Sequence, residues 1–441
     1  MKKIISVLSA LCLILSIGSL SAFATDAIIV KTAAELNEMR NNLNGNYVLE
    51  NDIDLSDVDN WIPIGTKESP FTGKFNGKHH TIKNLKITDI GENEYAGLFG
   101  YAKNAEISGI NICGEIALES DKAYVGAVCS FAEETNIKEC VNYANISLTT
   151  TFEGKTACAG GLIGYLKYSA IEMCSNEGNL TVIYNGESPE NPDSYKTFAG
   201  GVAGIATAQI SNCRNAGKIY VEDNNYSAVG GIIGLFSGAK HLGQPPYPNI
   251  GYMFLHNAIN TGEVIASMRK GGNPIVGYEN ITDWSTYDEN EPELYDGCYY
   301  LDTTGEEISD KNFIAVKKED MNKKETFPEF DFNDTWRITL SAGSPLLWFE
   351  DSSENISINV KTGEKIKIEL KGNTITSTKS EDEIVALIEG EEIKGVHAGK
   401  TEIRVLLSDK TEIRFSVMVK FSLFCLIKAF FESIFNSILW R

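Results

Sequence analysis

The sequence has few of the residues that build metal, redox or hydrolytic sites. It contains five His and nine Cys in 441 residues. The Cys-x-x-Cys and His-x-x-x-His spacings typical of zinc sites are absent. So are the His-Glu-x-x-His motif, the Gly-x-Ser-x-Gly elbow and the phosphate-binding loop. The motif-bearing metallopeptidases, serine hydrolases and P-loop proteins are therefore excluded, and the sequence predicts no catalytic residue, no metal ligand and no cofactor.

Positive charge is also scarce. Lys and Arg number 39 against 60 Asp and Glu, giving a net charge of −21. This balance argues against nucleic acid as a partner, because the phosphate backbone repels negative charge. The acidity permits calcium binding, and Asp52, Asp54, Asp57 and Asp59 form one acidic cluster. The EF-hand spacing is not met, so we interpret this cluster as a solvated turn.

Helical periodicity is missing between residues 93 and 349, where one phrase recurs instead. It reads Ala-Gly-Gly-Leu-Ile-Gly at 159–164, Ala-Gly-Gly-Val-Ala-Gly at 199–204 and Val-Gly-Gly-Ile-Ile-Gly at 229–234. Weaker copies begin at Ala96, Val125 and Pro274. The phrase is typical of a strand in which one Gly permits close packing and the other a bend or an unusual dihedral angle. The glycines of the repeat are Gly97, Gly100, Gly161, Gly164, Gly201, Gly204, Gly231 and Gly234.

A second phrase follows the first by about ten residues, as in Ile-Ser-Asn-Cys-Arg-Asn at 210–215. Equivalent places in successive copies hold Ile110, Cys140, Cys174 and Cys213. A place that accepts Ile or Cys is an inward-facing apolar one, which predicts a column of core thiols. Four disulfides are the alternative for an exported chain. The Asn that follows is interpreted as a turn residue in left-handed backbone.

Repeats every 30–40 residues indicate a solenoid or a propeller. We predict a right-handed parallel β-helix, because a propeller blade needs four strands and the spacing near 204–234 is short for that. The lead-in at residues 25–92 contains a capping box, Thr32-Ala-Ala-Glu35, which predicts a short helix that covers the open end.

The repeats resemble the GLUG repeat of bacterial surface and secreted proteins, which include adhesin-like proteins and the non-catalytic part of some immunoglobulin-A-cleaving metallopeptidases. The similarity extends over residues 93–349 and to the lead-in Trp61-Ile-Pro-Ile-Gly65. It implies a fold and an extracellular compartment, and it supplies no shared catalytic residues.

The two ends of the chain have distinct compositions. Residues 1–24 carry Lys2-Lys3, an apolar run and Ala22-Phe23-Ala24, which predicts a signal peptide and secretion. Residues 421–441 are densely apolar, and a helix there would lie in a membrane interface. Docking on the preceding domain or self-association is the alternative for this tail.

Residues 350–420 change to alternating apolar and polar positions, as in Ile356–Val360 and Ile413–Val417. This alternation predicts a small antiparallel β-sandwich. The stretch Gly395-Val-His-Ala-Gly399 and the strand after it resemble bacterial Ig-like domains of group two, which are commonly stalk or adhesin modules.

Two Pro-containing insertions interrupt the repeats, at 184–196 and 237–252. Loops that project from a solenoid often bind ligands, and exposed Tyr suits sugar or protein contacts. The candidate ligand residues are Tyr184, Tyr195, Tyr247 and Tyr252. We expect a surface-associated, adhesin-like binding protein with an extracellular glycan or host matrix protein as partner. A carbohydrate-active β-helix enzyme and a structural envelope component are the alternatives.

Overall fold

The computed structural model describes residues 27–120, 123–150, 157–185, 197–222, 227–239, 252–266, 272–282, 293–303, 312–338, 343–350, 354–368, 374–408 and 412–420. The predicted signal peptide and the apolar tail lie outside these residues. The described chain is nearly all β, with one short α-helix and two 3-10 segments, Met39–Asn41 and Lys324–Thr326. Among the residues just given, no helix is long and apolar enough to cross a bilayer.

The N-terminal helix, α1 (Ala33–Glu38), begins at the predicted capping box. Thr32 Oγ1 accepts a hydrogen bond from the Glu35 amide at 3.2 Å, and Glu35 Oε2 accepts one from the Thr32 amide at 3.1 Å. Leu36 and Met39 are fully buried against the first layer of strands. The apolar face of the helix thus covers this end of the core.

The described strands between residues 28 and 316 form two sheets in which paired strands run parallel. A sheet of five strands consists of β5 (Tyr95–Ala96), β8 (Tyr124–Gly126), β13 (Ala157–Gly160), β17 (Thr197–Gly200) and β21 (Ser227–Gly230). The other has 22 strands: β1 (Ile28–Val30), β2 (Asn46–Leu49), β3 (Ile53–Asp54), β4 (Lys74–Ile87), β6 (Phe99–Lys103), β7 (Glu106–Glu119), β9 (Cys129–Glu133), β10 (Asn136–Lys138), β11 (Val141–Asn142), β12 (Asn145–Thr150), β14 (Ile163–Glu172), β15 (Ser175–Asn176), β16 (Leu180–Tyr184), β18 (Ala203–Ser211), β19 (Arg214–Asn215), β20 (Ile219–Glu222), β22 (Ile233–Ala239), β23 (Phe254–Asn260), β24 (Val264–Ala266), β25 (Val276–Thr282), β26 (Tyr295–Leu301) and β27 (Ile314–Val316).

Successive copies of the repeat pair strand to strand. Ile163 lies between Cys129 of the preceding copy and Ala203 of the next, and Ile233 pairs with Val276. The two copies whose sequence phrase is weakest therefore occupy the same place in the stack as the clear ones. A large parallel sheet in a nearly all-β chain confirms the coarse prediction of fold class. We call the paired copies together the stack, and each set of paired positions a layer of the stack.

The repeated glycine phrase forms a corner between the two sheets. The sequence pattern predicts one strand for the whole phrase, and that prediction is wrong. In the clearest copy Gly160 ends β13 and Ile163 begins β14. A Cβ on Gly161 would lie 2.4 Å from Asn176 Oδ1, and one on Gly164 would lie 2.5 Å from a backbone oxygen. Neither glycine has a positive φ, so close approach rather than an unusual dihedral angle requires them. An added Cβ would come similarly close to other atoms at the remaining glycines of the repeat, Gly97, Gly100, Gly201, Gly204, Gly231 and Gly234.

A row of buried Asn side chains runs through the stack. Asn142 donates to Asn176 at 2.8 Å, Asn176 to Asn215 at 2.7 Å, and Asn215 to Asn260 at 2.7 Å. Each Nδ2 also donates to the carbonyl oxygen two residues later. The sequence interpretation of this Asn as a left-handed turn residue is wrong, because its side-chain amide makes these buried hydrogen bonds instead. The left-handed residues lie three positions earlier, at Glu139, Met173, Asn212 and Asn257.

The predicted core column of Ile110, Cys140, Cys174 and Cys213 is fully buried. Each of the three thiols donates to the carbonyl oxygen two residues earlier at 3.3 Å. Burial raises the pKa of Cys213 to about 12, which keeps it a neutral donor. The described cysteines are free. Cys therefore packs like a small apolar residue here and adds a hydrogen bond that Ile cannot make.

Residues 317–338 and 343–350, here called the return segment, lie against one side of the stack. The segment includes β28 (Trp336–Arg337) and β29 (Leu346–Leu347), which pair antiparallel. Trp336 Nε1 donates to Asn212 Oδ1 at 3.1 Å, and the Phe349 ring stacks on His79 at 5.0 Å. Because those two partners belong to distant layers, the return segment spans several layers.

A buried ion pair fixes the end of the return segment. Glu350 Oε1 lies 2.9 Å from Arg214 Nη1, and both side chains are almost completely buried. Arg214 also contacts Glu177, and Glu350 Oε2 accepts a bond from the Leu347 amide. An Arg removed from water needs such partners, so this cluster ties the segment to β19.

Residues 354–420 form a second β unit with its own apolar core. Four strands pair in the order β30 (Glu354–Lys361), β36 (Glu412–Lys420), β35 (Gly399–Leu407) and β32 (Ile375–Ser380). Three pair in the order β31 (Lys365–Lys367), β34 (Glu392–Gly395) and β33 (Ala386–Glu389). The strands fall where alternation predicts them. The prediction of a purely antiparallel sandwich is wrong, because β30 runs parallel to β36.

Candidate functional site

Five aromatic side chains gather where the two sheets meet; Tyr101 is buried, at 6% exposure, and the other four are half-buried. Tyr101, Phe131 and Tyr165 lie on β6, β9 and β14, in consecutive layers of the large sheet. Tyr95 and Tyr124 lie beside them on β5 and β8 of the five-stranded sheet. We call these five side chains the aromatic patch.

The rings of the aromatic patch form two columns that meet at their edges. Tyr101 and Phe131 stack with centroids 4.7 Å apart and an interplanar angle of 7°, and Phe131 lies 4.8 Å from Tyr165. Tyr95 and Tyr124 stack at 5.8 Å, and Tyr124 meets Phe131 edge-on at 5.5 Å. Neighbouring rings therefore occupy the faces of the inner rings, and edges and hydroxyl groups are what the patch presents.

The corner glycines bring these rings together. Tyr101 directly follows Gly100 and Tyr165 directly follows Gly164. The register skips the glycine, since Ile163 and Tyr165 are paired across β14 whereas Gly164 is not. The residue after the glycine thus points toward the five-stranded sheet instead of into the core. In later copies Ile205 and Leu235 continue this column.

Two hydroxyl groups of the aromatic patch are open to a ligand. Tyr95 and Tyr124 are half-buried, and their hydroxyls have no hydrogen-bond partner within the described chain. Burial raises the pKa of Tyr95 to about 12 and raises that of Tyr124 as well. Both hydroxyls therefore stay protonated at neutral pH and can donate and accept.

A charged cluster borders the aromatic patch. Glu133 accepts hydrogen bonds from Lys167 at 2.8 Å, Lys103 at 3.0 Å and the Tyr101 hydroxyl at 2.8 Å. Partial burial raises the pKa of Glu133, but these three donors lower it by more, to about 2. The carboxylate is therefore ionised at neutral pH and sits between two cations from the layers on either side. We call Lys103, Glu133 and Lys167 the charged cluster.

The sequence-predicted ligand residues do not form this site. Tyr184 is 6% exposed at the end of β16 and belongs to the core, so its assignment as an exposed ligand residue is wrong. Tyr252 is half-buried at an isolated position before β23. Tyr195 and Tyr247 lie outside the described residues.

The acidic cluster near the N-terminus is engaged by protein groups. Asp52 pairs with Lys83 at 2.8 Å, and Asp54 accepts from Asn84 Nδ2 at 2.7 Å. Asp57 and Asp59 are exposed. Within the part of the chain that the structure describes, no group of three or more His, Cys, Asp or Glu could hold a metal ion. The arrangement gives calcium no assembled site there.

Comparison with known proteins yields little. No family model and no curated protein matches the chain. A solved structure titled "IgA1 Protease" is similar with a TM-score of 0.39 and 16% identity. The match covers 72% of this chain and 25% of that chain, so this chain spans about a quarter of its length. A TM-score this low supports neither a shared fold nor a shared function.

Sequence reasoning missed the aromatic patch, although one signal for it was present. The positions directly after the corner glycines hold Tyr101 and Tyr165, and these positions face the five-stranded sheet and not the main core. The partners Tyr95 and Tyr124 come from the other sheet. Their contact depends on how two sheets meet at a corner, which residue spacing does not reveal.

Proposed function

We propose that the protein is a secreted, surface-associated binding protein of the adhesin-like kind, and that the aromatic patch contacts an extracellular glycan. Its repeats would form a right-handed parallel β-helix of GLUG type, and residues 350–420 a bacterial Ig-like module. The observation that carries the proposal is an array of aromatic rings in consecutive layers, half-buried except for Tyr101, with the hydroxyls of Tyr95 and Tyr124 unbonded within the described chain.

The paired register supports the β-helix part of the proposal. Asn142, Asn176, Asn215 and Asn260 are 34, 39 and 45 residues apart and bond to one another in turn. A chain that returns to the same place after each copy, always parallel, is what a coil of strands produces. The composition of residues 1–24 supports export.

The chemistry of the aromatic patch supports a glycan. Sugars present both C–H surfaces and hydroxyl groups, and the patch offers apolar ring edges next to the hydroxyls of Tyr95 and Tyr124. Aromatic side chains with a polar tip suit such amphipathic contacts. A host matrix protein is the other ligand class that the binding experiment includes.

Catalysis finds less support in this site. Glu133 is the carboxylate that accepts a hydrogen bond from the aromatic patch, and its pKa of about 2 makes it a poor proton donor at neutral pH. Glycosidases use a pair of carboxylates with opposed roles, whereas Glu133 is bound to Lys103 and Lys167. A binding role is therefore the better match.

The test is retention of the purified full chain on immobilised polysaccharides and matrix proteins, with reducing ends measured in parallel. We expect retention on one glycan class without new reducing ends. A Tyr95→Ala/Tyr124→Ala variant should lose that retention while its melting temperature falls by only a few degrees. Retention on matrix proteins alone, or new reducing ends, would overturn the proposal.

A further inference from the structure

The charged cluster has the opposite sign of charge from the whole chain, whereas two carboxylates, Glu68 and Glu94, lie near Tyr95 of the aromatic patch. The whole sequence carries −21, whereas Lys103, Glu133 and Lys167 together carry +1. The Glu133 side chain is 13% exposed, against 40% for Lys103 and 32% for Lys167. The carboxylate thus lies beneath two ammonium groups that reach further toward solvent.

The charged cluster and the aromatic patch are one surface. The Tyr101 hydroxyl donates to Glu133 Oε2, the oxygen that also accepts from Lys103. Tyr165 and Lys167 are two residues apart on β14, and Phe131 and Glu133 are two apart on β9. Each of three consecutive layers therefore contributes one ring and one charged group, with cations in the outer two.

From this arrangement we infer that the ligand is an anionic glycan, whose carboxylate or sulfate groups are bound by Lys103 and Lys167 while its sugar rings lie on the aromatic patch. The inference rests on the proposed function and specifies the ligand class of that same site. Ammonium groups bind such anions through charge-assisted hydrogen bonds.

The regular spacing favours a glycan over an acidic peptide. The ring centroids of Tyr101, Phe131 and Tyr165 follow one another at 4.7 and 4.8 Å, a nearly constant step, although Tyr101 is buried and the interplanar angle changes from 7° to 54°. A polymer of uniform short units can follow such a step. Peptide side chains alternate between two faces, so only every second residue could meet this surface.

The test compares affinities of the full chain for uronate-bearing, sulfated and neutral polysaccharides by calorimetry. In a Lys103→Gln/Lys167→Gln variant we expect at least a tenfold loss of affinity for an anionic polysaccharide, about the size of one charge-assisted bond. Neutral polysaccharides should bind the variant and the wild type equally. The uronate and sulfate arms identify which anion the lysines take.

A matched control changes two lysines elsewhere on the stack. Lys74 pairs with Glu106 at 2.8 Å and Lys218 with Glu263 at 2.9 Å, both between layers. The Lys74→Gln/Lys218→Gln variant removes the same charge and should change the affinity less than about twofold.

A third variant reverses the sign of the effect. Glu133→Gln removes the counter-charge and leaves both lysines, so affinity for the anionic polysaccharide should rise. A merely structural role for Glu133 would lower it. Equal losses in the cluster and control variants would overturn the inference, and so would binding of neutral glycans alone, which leaves the proposed function standing. Binding of no glycan would remove both.

Discussion

Two sides of the stack carry aromatic arrays of similar geometry and different exposure. On the side of the return segment, Phe330 and Trp336 stack at 4.3 Å and are 5% and 1% exposed. In the aromatic patch, Tyr101 and Phe131 stack at 4.7 Å, yet Phe131 and the neighbouring Tyr124 are half-buried. The chain thus buries one array completely under its own residues and leaves the other within reach of a partner.

The difference teaches how a repeat stack separates stability from binding. The covered array includes Trp336, whose indole bonds to Asn212 of the stack, and this array fastens distant layers to one another. Residues that must hold a fold are buried and satisfied. Half-buried rings with open hydroxyls gain less for the fold, and an accessible cluster of them is the usual mark of an interaction surface.

The largest expected effect comes from removing the stack on which both arrays depend. Gly201→Ala would place a Cβ 2.4 Å from Asn215 Oδ1 and from the backbone oxygen of Gly231. We expect a loss of about 3 kcal/mol or more in the free energy of unfolding, measured by urea titration, because neither neighbour can move away. Gly343→Ala is the control, since no atom of the described residues lies within 4 Å of its added Cβ, and its unfolding free energy should stay within about 0.5 kcal/mol of the wild type. Similar losses in both variants would contradict this account of the corner.

A smaller loss of stability is expected when only the attachment of the return segment is weakened. Glu350→Gln leaves the buried Arg214 with Glu177 as its remaining carboxylate, and we expect a loss of about 2 kcal/mol in unfolding free energy. Tryptophan fluorescence should shift to longer wavelength as Trp336 meets water. Glu172→Gln, at an exposed pair with Lys138, should cost under about 0.5 kcal/mol. An unchanged fluorescence spectrum would show that this ion pair does not hold the return segment.

The smallest effect is a pH dependence at the aromatic patch. The folded-state pKa of Glu133 is about 2, below its ordinary value, so its stabilising contribution is fully present above about pH 4.5 and is lost as the pH falls toward 2. Wild type should therefore be more stable than Glu133→Gln at pH 7, and the difference should shrink between pH 4.5 and 2. A difference that stays constant over this range would mean that the carboxylate charge contributes nothing.

Local sequence patterns predicted the features that depend on residues close together in the chain. The capping box of Thr32 and Glu35, the column containing Cys174, and the strands of residues 354–420 all depend on spacing within one segment or one repeat. The nearly all-β character and the parallel pairing follow from that spacing. The Asn row escaped prediction because its amides bond across layers, a contact that turn propensity does not report.

Contacts between distant segments could not be predicted. Trp336 and Asn212 are 124 residues apart, and Arg214 and Glu350 are 136 apart, with no shared motif to join them. The aromatic patch combines residues of two sheets at a corner whose angle the sequence does not state. Its position after the corner glycines became informative only once the register showed that these residues point toward the five-stranded sheet.

The most direct test removes one aromatic ring from each array, in separate variants, and measures stability and glycan binding for both. Tyr124→Ala changes the aromatic patch, and Phe330→Ala changes the covered array. We predict that Tyr124→Ala abolishes glycan retention with a melting temperature close to that of the wild type. Phe330→Ala should lower the melting temperature by about ten degrees and, below that temperature, retain the glycan. If instead Tyr124→Ala unfolds the protein as readily and leaves retention intact, the aromatic patch is part of the core and not a binding surface.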